Sequence, residues 1–90
     1  MKYEYKTSFE RDVKKVPDSL KPAILEIIED IKNVNNVNDI VGVKKMVGFK
    51  NVYRIRTKGI KDYRIGFYFE NETVILSRFL ARKEIYKNFP

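Results

Sequence analysis

The sequence predicts an α+β fold of order β-α-α-β-β-β: an antiparallel sheet carrying a helical hairpin on one face, in a single domain over residues 1–90. Three observations lead there. An apolar stripe of helical period runs from Leu20 to Ile31. The pattern changes to period 2 from Val52 onward. Short turn signals join the later strands, which makes them antiparallel neighbours.

Each element has its own justification. Tyr3, Tyr5 and Thr7 alternate with Lys2, Glu4 and Lys6, as in a short amphipathic strand. Ser8 can cap a following helix, with Glu10 and Asp12 near its positive end and Lys14 and Lys15 near its negative end. Phe9, Val13 and Val16 share one face, and Pro17 ends the segment. Asp18 or Ser19 caps the next helix, and Pro22 falls within its first turn, where a missing N–H costs little. Leu20, Ala23, Ile24, Ile27, Ile28 and Ile31 form its apolar stripe; Glu26, Glu29, Asp30 and Lys32 face water. An Asn-rich run over residues 33–38 stops it. Residues 39–50 read as a loop with room for one helical turn, because Gly42 and Gly48 break any long element. Val52 to Thr57 is a strand, and Lys58-Gly59-Ile60-Lys61 turns the chain with Gly59 suited to positive φ. Asp62 to Glu70 and Thr73 to Leu80 are further strands, joined tightly at Asn71-Glu72; residues 82–88 read as a short helix or a tail.

Composition removes several chemistries. The chain has no cysteine and no histidine. Disulfides, thiolate metal sites and cysteine nucleophiles are excluded, as are the usual general base and the commonest metal ligand. No metal and no cofactor are expected, and catalysis must run on Lys, Arg, Tyr, Asp, Glu, Ser or Thr. No apolar run reaches bilayer-spanning length, and Met1 to Ser8 lacks the apolar segment of a signal peptide, so a cytoplasmic location is expected. The net charge is +7. Residues 46–90 hold ten Lys/Arg against four Asp/Glu, whereas residues 1–45 hold nine against eight. That one-sided excess fits a polyanionic or acidic partner, or a solubilising surface.

The excess sits on strands. Tyr53 and Ile55 share one face of their strand, leaving Val52, Arg54 and Arg56 on the other. Tyr63, Ile65, Phe67 and Phe69 alternate with Asp62, Arg64, Gly66 and Tyr68. With the apolar faces against the helices, Arg54, Arg56 and Arg64 project together from the exposed face of one hairpin. Opposed like charges weaken a sheet, and a phosphate between guanidinium forks would relieve them; the other reading is a solvated antiparallel face. Arg78, between Leu76 and Leu80, is either buried against a carboxylate such as Glu84 or reaches the sheet edge. Arg82 and Lys83 follow the last strand, near the cluster. Tyr86 can stack on a base or pack with its hydroxyl free, and Phe89 caps the core.

An ordered set of motifs carries a family resemblance. Gly48, Tyr53-Arg54-Ile55-Arg56, Asp62-Tyr63-Arg64-Ile65-Gly66, Arg78-Phe79-Leu80 and Arg82-Lys83-Glu84-Ile85-Tyr86 follow one another as in the RelE/ParE toxin superfamily, which the chain resembles over almost its whole length. The resemblance implies the β-α-α-β-β-β fold and a cognate antitoxin, acidic or amphipathic, as partner. In the RelE branch it implies an endoribonuclease cutting mRNA on the ribosome by 2′-hydroxyl attack; in the ParE branch it implies DNA gyrase inhibition. A weakly catalytic RNA-binding relative is the remaining alternative. Carried over by position, the family's site falls on Arg54, Arg56, Arg64, Arg82 and Tyr86, with Arg56, Arg64, Arg82 and Tyr86 as the catalytic set; Arg54, Lys50, Lys58, Lys61 and Lys83 are the candidates for RNA phosphates. Arg54 and Arg56 stand where lysines are common in the family, and Ala81 stands in place of a histidine. Arginine does not give up its proton, so a general base is missing from the obvious place: Lys50, Lys58, Lys61 or Lys83 can supply one, or else the protein cleaves weakly or only binds.

Overall fold

The computed structural model describes residues 1–57 and 62–90. The chain runs β1 (Lys2–Tyr5), α1 (Thr7–Lys14), a 3₁₀ turn (Asp18–Leu20), α2 (Lys21–Asn33) and a second 3₁₀ turn (Val37–Asp39). It continues through β2 (Val43–Lys45), β3 (Val52–Arg56), β4 (Tyr63–Glu70), β5 (Thr73–Ala81) and α3 (Arg82–Asn88). Among the described residues the strands form one sheet in the order β1-β5-β4-β3-β2. The α+β architecture is as expected, with two departures and one open choice, helix or tail at the C-terminal end, decided. Residues 43–45 form a strand inside the segment read as a loop. The last segment is a helix. The sheet is mixed, because β1 joins β5 in parallel from Lys2 opposite Thr73 to Tyr5 opposite Leu76. The turn over residues 58–61 lies outside the described residues.

The two helices of the N-terminal half cover one face. Phe9 of α1 and Ile24, Ile27 and Ile31 of α2 are buried in one core with Tyr53, Ile55, Ile65, Phe67, Leu76 and Phe79. Registered rows explain the pattern. Val43, Ile55, Ile65 and Phe79 lie side by side across four strands, and Tyr53, Phe67 and Leu76 make the next inward row. The Tyr53 and Phe67 rings stack with centroids 5.1 Å apart. Asn71 and Glu72 have φ of 50° and 58°, the double positive φ that lets a two-residue turn follow strand twist.

Strict alternation fails at one place in β5. Gly66 faces Arg78, but Phe67 faces Leu76, so Ser77 is skipped and the register slips by one. Leu76 and Phe79, three apart, therefore both point into the core. Ser77 lies just beyond the end of β1, and side chains of α1 take over there as the edge partner of β5. Ser8 Oγ donates to the Ser77 carbonyl at 2.6 Å, and Asp12 Oδ2 accepts from the Phe79 N–H at 3.0 Å. Asp12, 6% exposed, also accepts from Arg78 Nε at 2.7 Å and Nη2 at 3.2 Å. This corrects two expectations, that Ser8 caps α1 and that Asp12 serves the helix dipole, and it gives Arg78 the carboxylate partner expected for a structural role, Asp12 in place of Glu84. Neither Asp18 nor Ser19 caps α2 through its side chain; Asp18 pairs with Lys21 at 2.6 Å. A buried carboxylate with three donors is held firmly, because removing any one leaves charge desolvated.

Candidate nucleic-acid interface

The second sheet face carries the basic side chains. Cross-strand pairing places Lys44, Arg54, Gly66 and Arg78 in one row and Arg56, Arg64 and Leu80 in the next. Arg56 and Arg64 are direct opposites. Like charges there weaken pairing unless a counter-charge arrives.

This face is not the open surface that alternation implied. Ile85 of α3 and Phe89, the extended residue just past its end, are buried with Val52 against Met46, Tyr68 and Leu80. Phe89 is thus the expected cap, though of a second, smaller core. Gly66 makes the docking possible: a Cβ there would lie 2.6 Å from the Phe89 ring. The Phe89 and Tyr68 rings meet edge-on at 5.3 Å between centroids. Roofed in this way, Arg64 is only 6% exposed, which corrects its reading as a fully exposed projection. Its Nη1 donates to the Tyr63 carbonyl at 2.9 Å. Burial, then the Arg54, Arg56 and Arg82 charges, press the Arg64 guanidinium below the ordinary arginine range, while Tyr86 acts the other way.

Docking α3 also delivers Tyr86, which is 53% exposed. Arg54 Nε donates to Tyr86 Oη at 3.2 Å, and Arg54 Nη1 donates to the Gly42 carbonyl at 3.2 Å. Gly42 has φ of 80°, and a Cβ there would lie 2.8 Å from the Arg56 carbonyl oxygen. A residue with a side chain would be both strained and crowded, so Gly42 lets two arginines approach. The structure therefore brings Arg54, Arg64, Arg82 and Tyr86 together, with Arg56 beside them. Arg56 also borders a groove along α2 lined by Leu25, Glu26, Glu29 and Asp30, so it stands at the rim of the cluster. Among the described residues the ion pairs are Lys21–Asp18, Lys32–Glu29 and Arg78–Asp12; none engages Arg54, Arg56 or Arg82.

Lys83 is exposed in the first turn of α3 and Lys50 is exposed on the β2–β3 loop. Lys58 and Lys61 lie outside the described residues. Three cations went unnoticed in the sequence. Lys44, Lys45 and Lys87 line a groove of about 440 Å³ with Arg54, Tyr86 and Phe49. The available signal was Val43-Lys44-Lys45 between two glycines, too short for a period of 2 to be visible. The described residues hold no cluster of metal-ligating side chains, and none of their helices is long and apolar enough to cross a membrane.

Comparisons with known proteins agree with this architecture. Residues 3–86 match the family model described as the ParE toxin of the type II toxin–antitoxin system parDE. Toxin RelE3 of Methanocaldococcus jannaschii is 41% identical over 91 residues, covering 100% of each chain. The fold is shared with the toxin in the RelB–RelE antitoxin–toxin complex from Methanococcus jannaschii, at TM-score 0.76 and 40% identity over 96% of this chain and 98% of that one. It is also shared with the RelBE2 complex from Mycobacterium tuberculosis, at TM-score 0.68 and 19% identity over 90% and 96% of the two chains. The chain belongs to the RelE/ParE family and is a toxin of the type II toxin–antitoxin kind.

Proposed function

We propose that the protein is an endoribonuclease that cuts mRNA on the ribosome. The observation that carries this reading is the convergence of the Arg54–Tyr86 pair with the buried Arg64 guanidinium and its neighbours Arg56 and Arg82. In the proposed reaction a ribose 2′-oxygen attacks the adjacent phosphorus. The P–O5′ bond breaks, leaving a 2′,3′-cyclic phosphate on one fragment and a 5′-hydroxyl on the other. The 2′-proton leaves to a base and a proton reaches the 5′-oxygen. Arg56, Arg64 and Arg82 stabilise the charge that builds on the phosphoryl oxygens, and they do so best because Arg64 is already desolvated. Tyr86 orients a base next to the reacting phosphate. Arg54 holds Tyr86 in place and contacts the backbone. Lys50, Lys58, Lys61 and Lys83 supply further phosphate contacts. Lys44, opposite Arg54 in the register, joins the candidates for the base that the arginines cannot provide.

An antitoxin covers the basic face when the toxin is silent. Several related toxins were solved bound to one. An acidic or amphipathic segment satisfies the uncompensated charge there. Primer extension on mRNA after induced expression tests the nuclease reading: discrete new ends are expected, and intact transcripts alongside halted growth would refute it. The ParE description of the matching family and the absence of lysine at Arg54 and Arg56 favour a second reading, inhibition of DNA gyrase. A supercoiling assay with purified toxin separates the two.

A further inference from the structure

The β2–β3 loop leaves two apolar side chains in water: Val47 is 91% exposed and Phe49 48%. A lone exposed apolar residue means little, but Phe49 is placed, not loose. Met46 N–H bonds the Val52 carbonyl at 2.8 Å, Phe49 N–H reaches the Met46 carbonyl at 3.4 Å, and Gly48 and Asn51 turn the chain with φ of 87° and 56°. Met46 itself packs against the small core beneath α3. The loop is thus anchored to the same core that positions Tyr86.

Phe49 and Tyr86 line one groove of about 440 Å³ with Lys44, Lys45, Arg54 and Lys87. Among the described residues no Asp or Glu side chain lines it. An aromatic face inside a ring of cations suits a ligand that is flat and apolar in one part and anionic in the next. An unpaired nucleotide has that chemistry: the base stacks on a ring while phosphates meet the cations. We propose that this groove binds the nucleotide next to the scissile linkage, with Phe49 as the platform for its base. The proposal deepens the nuclease reading and rests on it. Tyr86 then holds the base on the reacting side and Phe49 the base beyond it, so that Phe49 influences which sequences are cut.

The test measures binding of a short, fluorescently labelled single-stranded RNA whose 2′-hydroxyls are methylated, so that it cannot be cleaved. An abasic oligomer with the same backbone serves as the second probe. Phe49→Ala is expected to weaken binding of the base-bearing oligomer about tenfold, within the range of losing one stacked base. Phe49→Trp should retain affinity, and the abasic oligomer should bind all three proteins alike. Equal affinity of Phe49→Ala and wild type for the base-bearing RNA would overturn the proposal; if Arg64→Ala still abolished that binding, the nuclease reading would survive it. Equal losses on both oligomers would also overturn it, by assigning Phe49 a structural role. Phe49→Ala that weakened only an acidic antitoxin peptide would replace the nucleotide with a protein partner. Wild-type protein binding neither oligomer would overturn the inference alone, because the nuclease reading places cleavage on the ribosome and is decided by primer extension.

Discussion

The two faces of the sheet are built on different principles. On the α1–α2 side, more than a dozen buried residues interlock, and the charged pair at its margin, Asp12–Arg78, is fully matched. On the α3 side, only Val52, Ile85 and Phe89 among the described residues are buried as a core, and around them stand Arg54, Arg56, Arg64 and Arg82. The first face carries most of the fold's stability. The second gives some of it up by crowding like charges, as expected where a site is organised for an anion that is not part of the protein. The contrast implies that substitutions on the helical face act on folding, whereas those on the basic face act on ligand and rate.

The largest effect should come from Asp12→Ala. It strips Arg78 and the Phe79 N–H of their acceptor, and breaking such a pair from one side costs about 3 kcal/mol or more. Chemical denaturation reads it directly, with a fall in the midpoint and little change in slope. Gly66→Val probes the hinge between the faces. Its side chain would collide with the Phe89 ring, lift α3 and displace Tyr86. Overpacking of this kind costs about 1–3 kcal/mol, and cleavage should fall further than stability does.

Inorganic phosphate sharpens the contrast from the ligand side. Arg64 has its folded-state pKa lowered, so its charge is a stability cost at every pH below that value, and bound anion offsets the cost. At about a hundredfold excess over Kd, phosphate should add about 2.7 kcal/mol, read as a rise in Tm that Arg64→Gln removes. Tyr86→Phe is a smaller change. It keeps the ring but deletes the acceptor for Arg54 Nε, a loss of about 1 kcal/mol in cleavage with stability unaltered. Leu25→Lys, on exposed α2 surface, should change neither cleavage nor folding beyond about 0.5 kcal/mol.

How much of this was readable in advance follows the same division. The stripe through Ile24, Ile27 and Ile31, and the inward rows of β3 and β4, were legible because long elements repeat their period. β2 was not, since three residues show no period, and with it went Lys44, Lys45 and the groove they line. The skipped residue Ser77 leaves no mark in composition, so Arg78 could not be assigned to Asp12, which lies 66 residues away. Arg64 was legible as a member of the cluster but not as buried, because Ile85 and Phe89 announce a docked helix only once Gly66 is seen beneath the ring. The arginines and Tyr86 were found through motif order; Phe49 has no such signature.

The most direct measurement pairs growth with folding in the double variant Arg64→Ala, Tyr86→Ala. Induced without antitoxin, it should leave growth unimpaired while its denaturation midpoint stays within the range of ordinary surface substitutions. Growth that still halts, with the variant folded, would mean that the guanidinium cluster under α3 is not where this toxin acts.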